Sequence, residues 1–408
     1  MARARRSSPV VDGDGHVIEP PNAVWWERMD RAKWGDWIPH FDFEEQALCV
    51  GGVPRAGGLK ALSEAAALAG ITLEEVQEAT GRNRLAMARP GGHDPHARVA
   101  DMDRDGIDLA VLYPTAGLLF GPLDPIEALR RPDFVAACQR AYNDWIAEFC
   151  AAEPRRLFGV GSVPLQDLDL AVAEAERVAR RGLVGVWIRP APYLGELPLS
   201  HAAYDRFWAA CQDLDLSVSL HPAVHVDTPG ACRKFALVRE NANLAFSNVA
   251  VSPEYGGSGF GQAIGNTVDM IVSLGRLLMG GVCERFPRLR FLFLEAGGGW
   301  CATQLERMDE QVEAFPLEGR WLALKPSEYF RRQCYISFEP EEWNLAASAR
   351  QIGADRVIWA SDYPHPEYHP GVVGELREHL AGLSADDRSR ILGKNAIEAY
   401  RLPVSSGS

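Results

Sequence analysis

Near the start of the chain the apolar pair Val10-Val11 runs into Asp12-Gly13-Asp14-Gly15-His16. Alternate residues of an extended strand share a face, so Asp14 and His16 should project to the same side. A carboxylate and an imidazole so placed form half of a metal site. Two later apolar runs end in the same way. Leu216 to Leu220 meets His221-Pro222, and Val357 to Ser361 meets Asp362-Tyr363-Pro364-His365. A single His or Asp at a strand end is ordinarily a capping or hydrogen-bonded group. Three such ends in one alternating chain point to a shared site.

The elements that must bring these ends together follow from periodicity. Strand-length apolar runs are expected at Val10–Asp14, Leu109–Tyr113, Leu157–Val163, Gly185–Arg189, Leu216–His221, Leu289–Glu295, Cys334–Phe338 and Val357–Ser361. Between them lie segments of helical period: Asp133–Ala152, Asp167–Arg181, Ala203–Leu214, Val268–Phe286 and Trp300–Phe315, with a last helix from Ala385 to Tyr400 behind Ser384 as N-cap. Eight near-continuous apolar strands alternating with helices predict an α/β protein, a (β/α)8 TIM barrel, rather than an open doubly wound sheet. No Gly-x-Gly-x-x-Gly turn follows the first strand. Residues 10–402 read as one domain, between a basic tail (1–9) and a short C-terminal tail (403–408).

Two connections exceed ordinary loops, 17–95 after the first strand and 223–265 after the fifth, both leaving the strand ends where such barrels carry active sites. The first holds Trp25, Trp26, Trp34 and Trp37, and the second runs through Tyr255 to Gly261, rich in glycine. Together they could wall an apolar pocket with a flap; alternatively the tryptophans pack the insertion onto the barrel or meet a second copy of the chain.

In a barrel the strand ends deliver Asp14, His16, Tyr113, Arg189, His221, Glu295, Glu339, Asp362 and His365 to one mouth. Imidazoles mixed with carboxylates suit Zn, Mn or Fe(II) as one or two ions. His365 and His369 offer further nitrogen ligands. Arg189 could fork onto a substrate carboxylate or serve a structural ion pair, and Tyr113 stands beside the site as a substrate contact. Glu19 and Glu339 read as surface or supporting groups. His93 and His96 fall in a loop before a helix that Asp94 or Asp101 would cap, and are left outside the site.

The net charge of −13 disfavours a nucleic acid or anionic membrane as partner, leaving a small molecule. No apolar run of about 18 residues is present. The basic start, Met1 to Arg6, lacks the apolar stretch of a signal peptide, so a cytoplasmic location is expected. Cys49, Cys138, Cys150, Cys211, Cys232, Cys283, Cys301 and Cys334 show no Cys-x-x-Cys spacing and read as reduced core thiols.

The strand-end motifs Asp14-Gly15-His16, Leu220-His221-Pro222 and Ser361-Asp362-Tyr363-Pro364-His365 resemble those of the amidohydrolase superfamily, in the branch typified by aminocarboxymuconate-semialdehyde decarboxylase. The resemblance implies that His16 and His221 bind metal, that Asp14 takes a variable ligand position held there by His or Glu, and that Asp362 binds metal and handles a proton. One departure matters. Where that branch has a histidine as acid or base at the end of the sixth strand, this chain has Glu295, which moves the site toward a carboxylate-rich, two-metal centre. The implied chemistry is metal-dependent hydrolysis or decarboxylation of an apolar or aromatic carboxyl or carbonyl compound, with Asp362 and Glu295 catalytic. A competitor on the same fold is a nonheme di-iron monooxygenase acting on a bulky terpenoid. A third, an inactive binding barrel, fits poorly with His16, His221 and Asp362 all being present.

Overall fold

The structure, a computed structural model, describes residues 8–42, 47–54, 89–120, 127–190, 193–195, 197–222, 262–365 and 368–404. Its strands are β1 (Val11–His16), β2 (His40–Asp42), β3 (Ala47–Val50), β4 (Val53–Pro54), β5 (Leu109–Tyr113), β6 (Leu157–Gly159), β7 (Gly161–Ser162), β8 (Gly185–Ile188), β9 (Ser217–Leu220), β10 (Phe291–Phe293), β11 (Cys334–Phe338) and β12 (Val357–Trp359). β1, β5 and β6 form a parallel sheet, and β7 to β12 form a second in sequential order. The expected strand Leu157–Val163 is therefore two. Pairing passes from β5 to β8 at Val160, whose N–H donates to Leu112 O at 3.0 Å. Glycine is needed there, because a Cβ on Gly161 would lie 2.4 Å from Val178 Cγ2 of the covering helix.

At the far edge Asp362 N donates to Asp14 O (3.2 Å) and His16 N to Tyr363 O (2.7 Å), so the segment leaving β12 is tied to β1. One apolar cluster lies between strands and helices. A second, including Val11, Val111, Trp187, Leu292 and Ile358, is shared with Ala396, Ala399 and Tyr400 of the C-terminal helix Asn395–Tyr400.

Most expected helices stand within a residue or two. Asp167 caps Leu168–Arg180 by accepting from Asp169 N and Leu170 N, and Ser384 accepts from Asp387 N. The expected helix Val268–Phe286 is broken into Thr267–Leu278 and Val282–Arg285, with Gly281 at φ +76° between them. In the first insertion β2, β3 and β4 pair antiparallel. Its tryptophans pack: Trp25 donates to Cys138 O, while Trp34 and Trp37 stand edge-on to Phe134, all against the helix Pro132–Ala151. The glycine-rich run Tyr255 to Gly261 lies outside the described residues. The seven described cysteines are buried thiols. No described helix is long and apolar enough to cross a membrane.

One irregularity positions the site. The register of β1 against β5 slips between Asp12 and Gly15, which is a β-bulge. Strict alternation would put Asp12 on the same face as Asp14 and His16. The bulge instead turns Asp12 to the side where a Cβ on Gly15 would sit, 2.7 Å from Asp12 Oδ2. There Asp12 accepts from Ser361 N (3.0 Å) and Ser361 Oγ (2.6 Å) and lies 3.7 Å from the buried Arg98 guanidinium. Arg98 Nη1 also donates to His16 O (2.7 Å), and its guanidinium lies over the Tyr363 ring. The ion pair thus staples β1 to the segment that follows β12.

Burial lifts the Asp12 carboxyl above the ordinary carboxylate range, although Arg98 and Ser361 pull it down. Folded Asp12 therefore keeps its proton to higher pH than unfolded Asp12, and its contribution to stability falls as pH rises from the unfolded value through the folded one. Removing Arg98 removes the nearest opposing cation. Arg98→Met should cost about 3 to 5 kcal/mol in urea denaturation, more at about pH 8 than at about pH 5. Asp12→Asn in the same chain should restore part of it. A loss under about 1 kcal/mol would contradict the assigned role of this pair.

Candidate metal centre

Four strand ends converge on one buried point. Asp14 and His16 close β1, His221 follows β9, Glu295 lies two residues past β10, and Asp362 and His365 follow β12. Asp14, His16 and His221 are wholly buried. His16 Nε2 is 3.6 Å from Asp14 Oδ1 and 3.8 Å from Asp362 Oδ1. His221 Nε2 is 3.7 Å from Asp14 Oδ2 and 3.0 Å from Glu295 Oε2. The His365 ring stacks on that of His16, centroids 3.9 Å apart.

The tautomers follow from the carbonyls around the site. His16 Nδ1 is 2.8 Å from Pro114 O, and His221 Nδ1 is 2.8 Å from Pro222 O. A carbonyl only accepts, so each Nδ1 carries the hydrogen and, in the neutral rings, each Nε2 presents a lone pair. These two Nε2 atoms face each other across 3.3 Å. Two lone pairs at that distance repel unless a proton or a cation lies between them. Beside them neither carboxylate oxygen of the buried Asp14 has a hydrogen-bond partner. Nitrogen and oxygen donors left open together fit a borderline divalent ion.

Burial and neighbouring charges shift the groups of the centre in opposite directions. Burial, reinforced by the neighbouring imidazoles, holds His16 well below the usual histidine range, and burial takes His365 down to about 4. Burial also opposes protonation of His221, but the Glu295 and Asp14 carboxylates outweigh it and raise the group to about 9. Asp14 is pushed well above the carboxylate range, chiefly by burial.

Two donor sets share His16: Asp14, His16 and His221, and His16, Asp362 and His365. The ligand atoms within each set all lie within 4.8 Å of one another. Glu295 and Asp362 both adopt left-handed backbone, φ +48° and +53°. Such φ values are unusual for residues with a side chain and concentrate at functional sites. The turn after Glu295 is held by Asn266 Nδ2, which donates to Glu295 O, and by Glu342, whose carboxylate accepts from Gly298 N and Gly299 N.

Two of the residues expected at the mouth stand elsewhere. Tyr113 lies beneath the site: its ring stacks on His221, and its hydroxyl is bonded to Ser219 Oγ and Tyr400 Oη. The strand carries it into the interior cluster, where it props an imidazole. His369 is partly exposed and pairs with Glu375 at 3.0 Å, away from the cluster that holds His365. Arg189 is buried at the end of β8 with Nη1 on Leu118 O. His96 pairs with Glu153, and Asp94 caps the helix Pro95–Asp105, in keeping with the sequence reading that left this loop aside. Sequence reasoning missed Thr115, whose Oγ1 lies 3.0 Å from His365 Nε2, and Arg98; neither carries a local signal of its partner.

The sequence profile of the family described as Amidohydrolase matches residues 11–402. The chain is 25% identical over 312 residues to 2-amino-3-carboxymuconate-6-semialdehyde decarboxylase of Dictyostelium discoideum, covering 76% of this chain and 77% of that protein. It is 26% identical to gamma-resorcylate decarboxylase of a Polaromonas species, covering 75% and 86%. Among solved structures, an amidohydrolase from Mycobacterium avium subsp. paratuberculosis superposes with a TM-score of 0.72 at 21% identity, over 97% of this chain and 100% of that one. The 5-carboxyvanillate decarboxylase of Novosphingobium aromaticivorans, in complex with manganese and 4-hydroxy-3-methoxy-5-nitrobenzoic acid, gives 0.64 at 20% identity, over 97% of each chain. The fold is shared with both.

His16→Ala and His221→Ala should each lose most of the transition metal found by elemental analysis of purified protein, whereas His369→Ala should keep it. Full retention in both of the first two variants would contradict the site.

Proposed function

Because this chain belongs to the amidohydrolase family, we propose that it is a metal-dependent carboxy-lyase acting on an aromatic or similarly unsaturated carboxylate. The observation that carries the reading is the pair of Nε2 atoms 3.3 Å apart beside an Asp14 carboxylate with no hydrogen-bond partner. The names of the relatives, decarboxylases of carboxymuconate semialdehyde and of resorcylate, supply the reaction class. Asp14, His16, His221 and Asp362 would hold one divalent ion, with Glu295 and His365 alongside. The solved relatives with manganese support Mn, and Zn or Fe suit the same donors.

A bound divalent ion would supply positive charge to the substrate's oxygens. The remaining work falls to the chain. Loss of carbon dioxide leaves an electron pair on carbon, and a proton must be delivered there. Asp362 and Glu295 are the carboxyl groups placed to carry it, one beside His16 and the other beside His221. Arg189, at the end of β8, has the fork geometry to orient a substrate carboxylate. Burial of the centre keeps water from competing for these contacts.

The hydrogen bonds at both sheet edges support a single closed (β/α)8 barrel over residues 10–402, with 17–95 and 223–265 as insertions in its sequence. The buried thiols support a reducing, cytoplasmic setting. A small molecule is the partner in this reading, and self-association is left to measurement.

A second reading, a nonheme di-iron monooxygenase, is favoured by one feature: Glu295 and His365 add two donors beyond those assigned to a single ion, and His16 is shared by two donor sets, one with Asp14 and His221 and one with Asp362 and His365. The two chemistries part over dioxygen. Carbon dioxide should be released from an aromatic carboxylate under strict anaerobiosis, and Glu295→Gln should lower turnover about a hundredfold or more. Dependence on dioxygen and a reductant, with label from isotopic dioxygen in the product, would replace the lyase reading with the oxygenase.

A further inference from the structure

Glu19 is a buried carboxylate that the proposed chemistry leaves unused. It sits three residues past His16 on a stretch that cannot drift, since Val17 N donates to Tyr113 O (2.9 Å) and Ile18 N to Gly92 O (2.7 Å). Its carboxylate accepts three backbone N–H groups in a row: Oε2 from Thr115 and Ala116, each at 3.0 Å, and Oε1 from Gly117 at 2.9 Å. Such a run of amides aimed at one carboxylate fixes the path of the loop as it leaves β5 and enters the 3-10 turn Ala116–Leu119. The fit is close. A Cβ on Gly117 would lie 3.0 Å from Glu19 Oε1 and 2.9 Å from Pro114 Cβ.

The clamped loop carries the partners of two imidazoles of the centre. Pro114 O takes the Nδ1 hydrogen of His16 at 2.8 Å, which is what leaves His16 Nε2 bare. Thr115 Oγ1 holds Nε2 of His365 at 3.0 Å, and His365 lies stacked on His16. The outer partner of a metal-ligating imidazole decides which nitrogen is presented and at what angle. Here both outer partners belong to adjacent residues of one loop, held by a single side chain through its backbone amides.

We propose that Glu19 is a positioning residue that sets the tautomer of His16 and the ring orientation of His365 together, through the loop Pro114 to Gly117. The assignment deepens the metal-centre reading and rests on it for its consequence, but its primary test needs no metal. Glutamine at position 19 keeps the side-chain volume and one acceptor oxygen, but it turns a donor toward at least one of the three N–H groups. Thr115→Val removes the contact with His365 alone and leaves Glu19 and Pro114 in place.

In metal-free protein labelled with 15N-histidine, long-range proton–nitrogen spectra read each ring's tautomer. The His16 signals are assigned by their loss in His16→Asn. Wild type should show His16 fixed with its hydrogen on Nδ1. Glu19→Gln should move His16 toward a mixture of tautomers and shift His365 as well, while Thr115→Val should shift His365 and leave His16 fixed. Manganese or zinc affinity, titrated directly, should fall about 10- to 100-fold in Glu19→Gln, the usual cost of losing an outer partner. A folded Glu19→Gln protein, judged by circular dichroism, with both histidine signals unchanged would overturn the proposal. So would failure of that variant to fold, since Glu19 would then hold the fold and not the rings. Should wild type bind no metal while the histidine shifts appear as described, the metal reading fails and the positioning role stands.

Discussion

Two imidazole nitrogens that present lone pairs to each other at 3.3 Å cannot rest there without something positive between them. The surrounding structure is arranged to keep them in that position. Pro114 O and Pro222 O occupy the outer nitrogens, the Tyr113 ring lies against His221, and His365 lies against His16. Were the rings free to turn, each could relieve the repulsion by presenting a hydrogen. Their constraint converts an unfavourable contact into affinity for a cation, because the energy of holding the donors together is spent in folding and not again on binding.

The carboxylates extend the same logic. Asp14 is wholly buried without a hydrogen-bond donor, so its charge is costly unless a cation stands beside it. Asp12, two residues earlier, has the same side chain and equal burial but is fully provided for by Ser361 and Arg98. One bulge separates an aspartate paired within the fold from one left without a hydrogen-bond partner. Glu295 and Asp362 reach the centre through backbone conformations that a side chain resists, and hydrogen bonds from Asn266 to the one and from Asp362's own N–H to Asp14 keep them there.

The parts that were legible in the sequence are those governed by local repetition. Parallel strands covered on both faces read as unbroken apolar runs, and the polar residue that ends each run marks the exit to the site; His16, His221, Glu295 and Asp362 were legible for that reason. Position within a turn is not local in this way. His365 and His369 look alike in sequence, yet His365 N folds back onto Asp362 O at 2.6 Å while His369 continues outward to Glu375. Tyr113 ends a strand like the others, but its length carries the hydroxyl to Ser219 and Tyr400 inside the sheet. The Asp12 bulge depends on Arg98 and Ser361, one a helix away and the other at the far end of the chain, and no period in the sequence encodes it. Glu19 reads no further than a surface or supporting glutamate because its three donors are backbone groups, which every residue possesses.

The Tyr400 hydroxyl closes a chain of contacts from Tyr113 and Ser219 to Gly13 O, directly under the residues that open β1. The chain passes through all the other described strands between Asp14 and Asp362, and Tyr400 comes later still. During synthesis the early donors must wait without their floor until the segment carrying Asp362 and Tyr400 has emerged. A ribosome that stalls before the helix Asn395–Tyr400 would leave behind these strands with the cluster beneath and beside Asp14 incomplete.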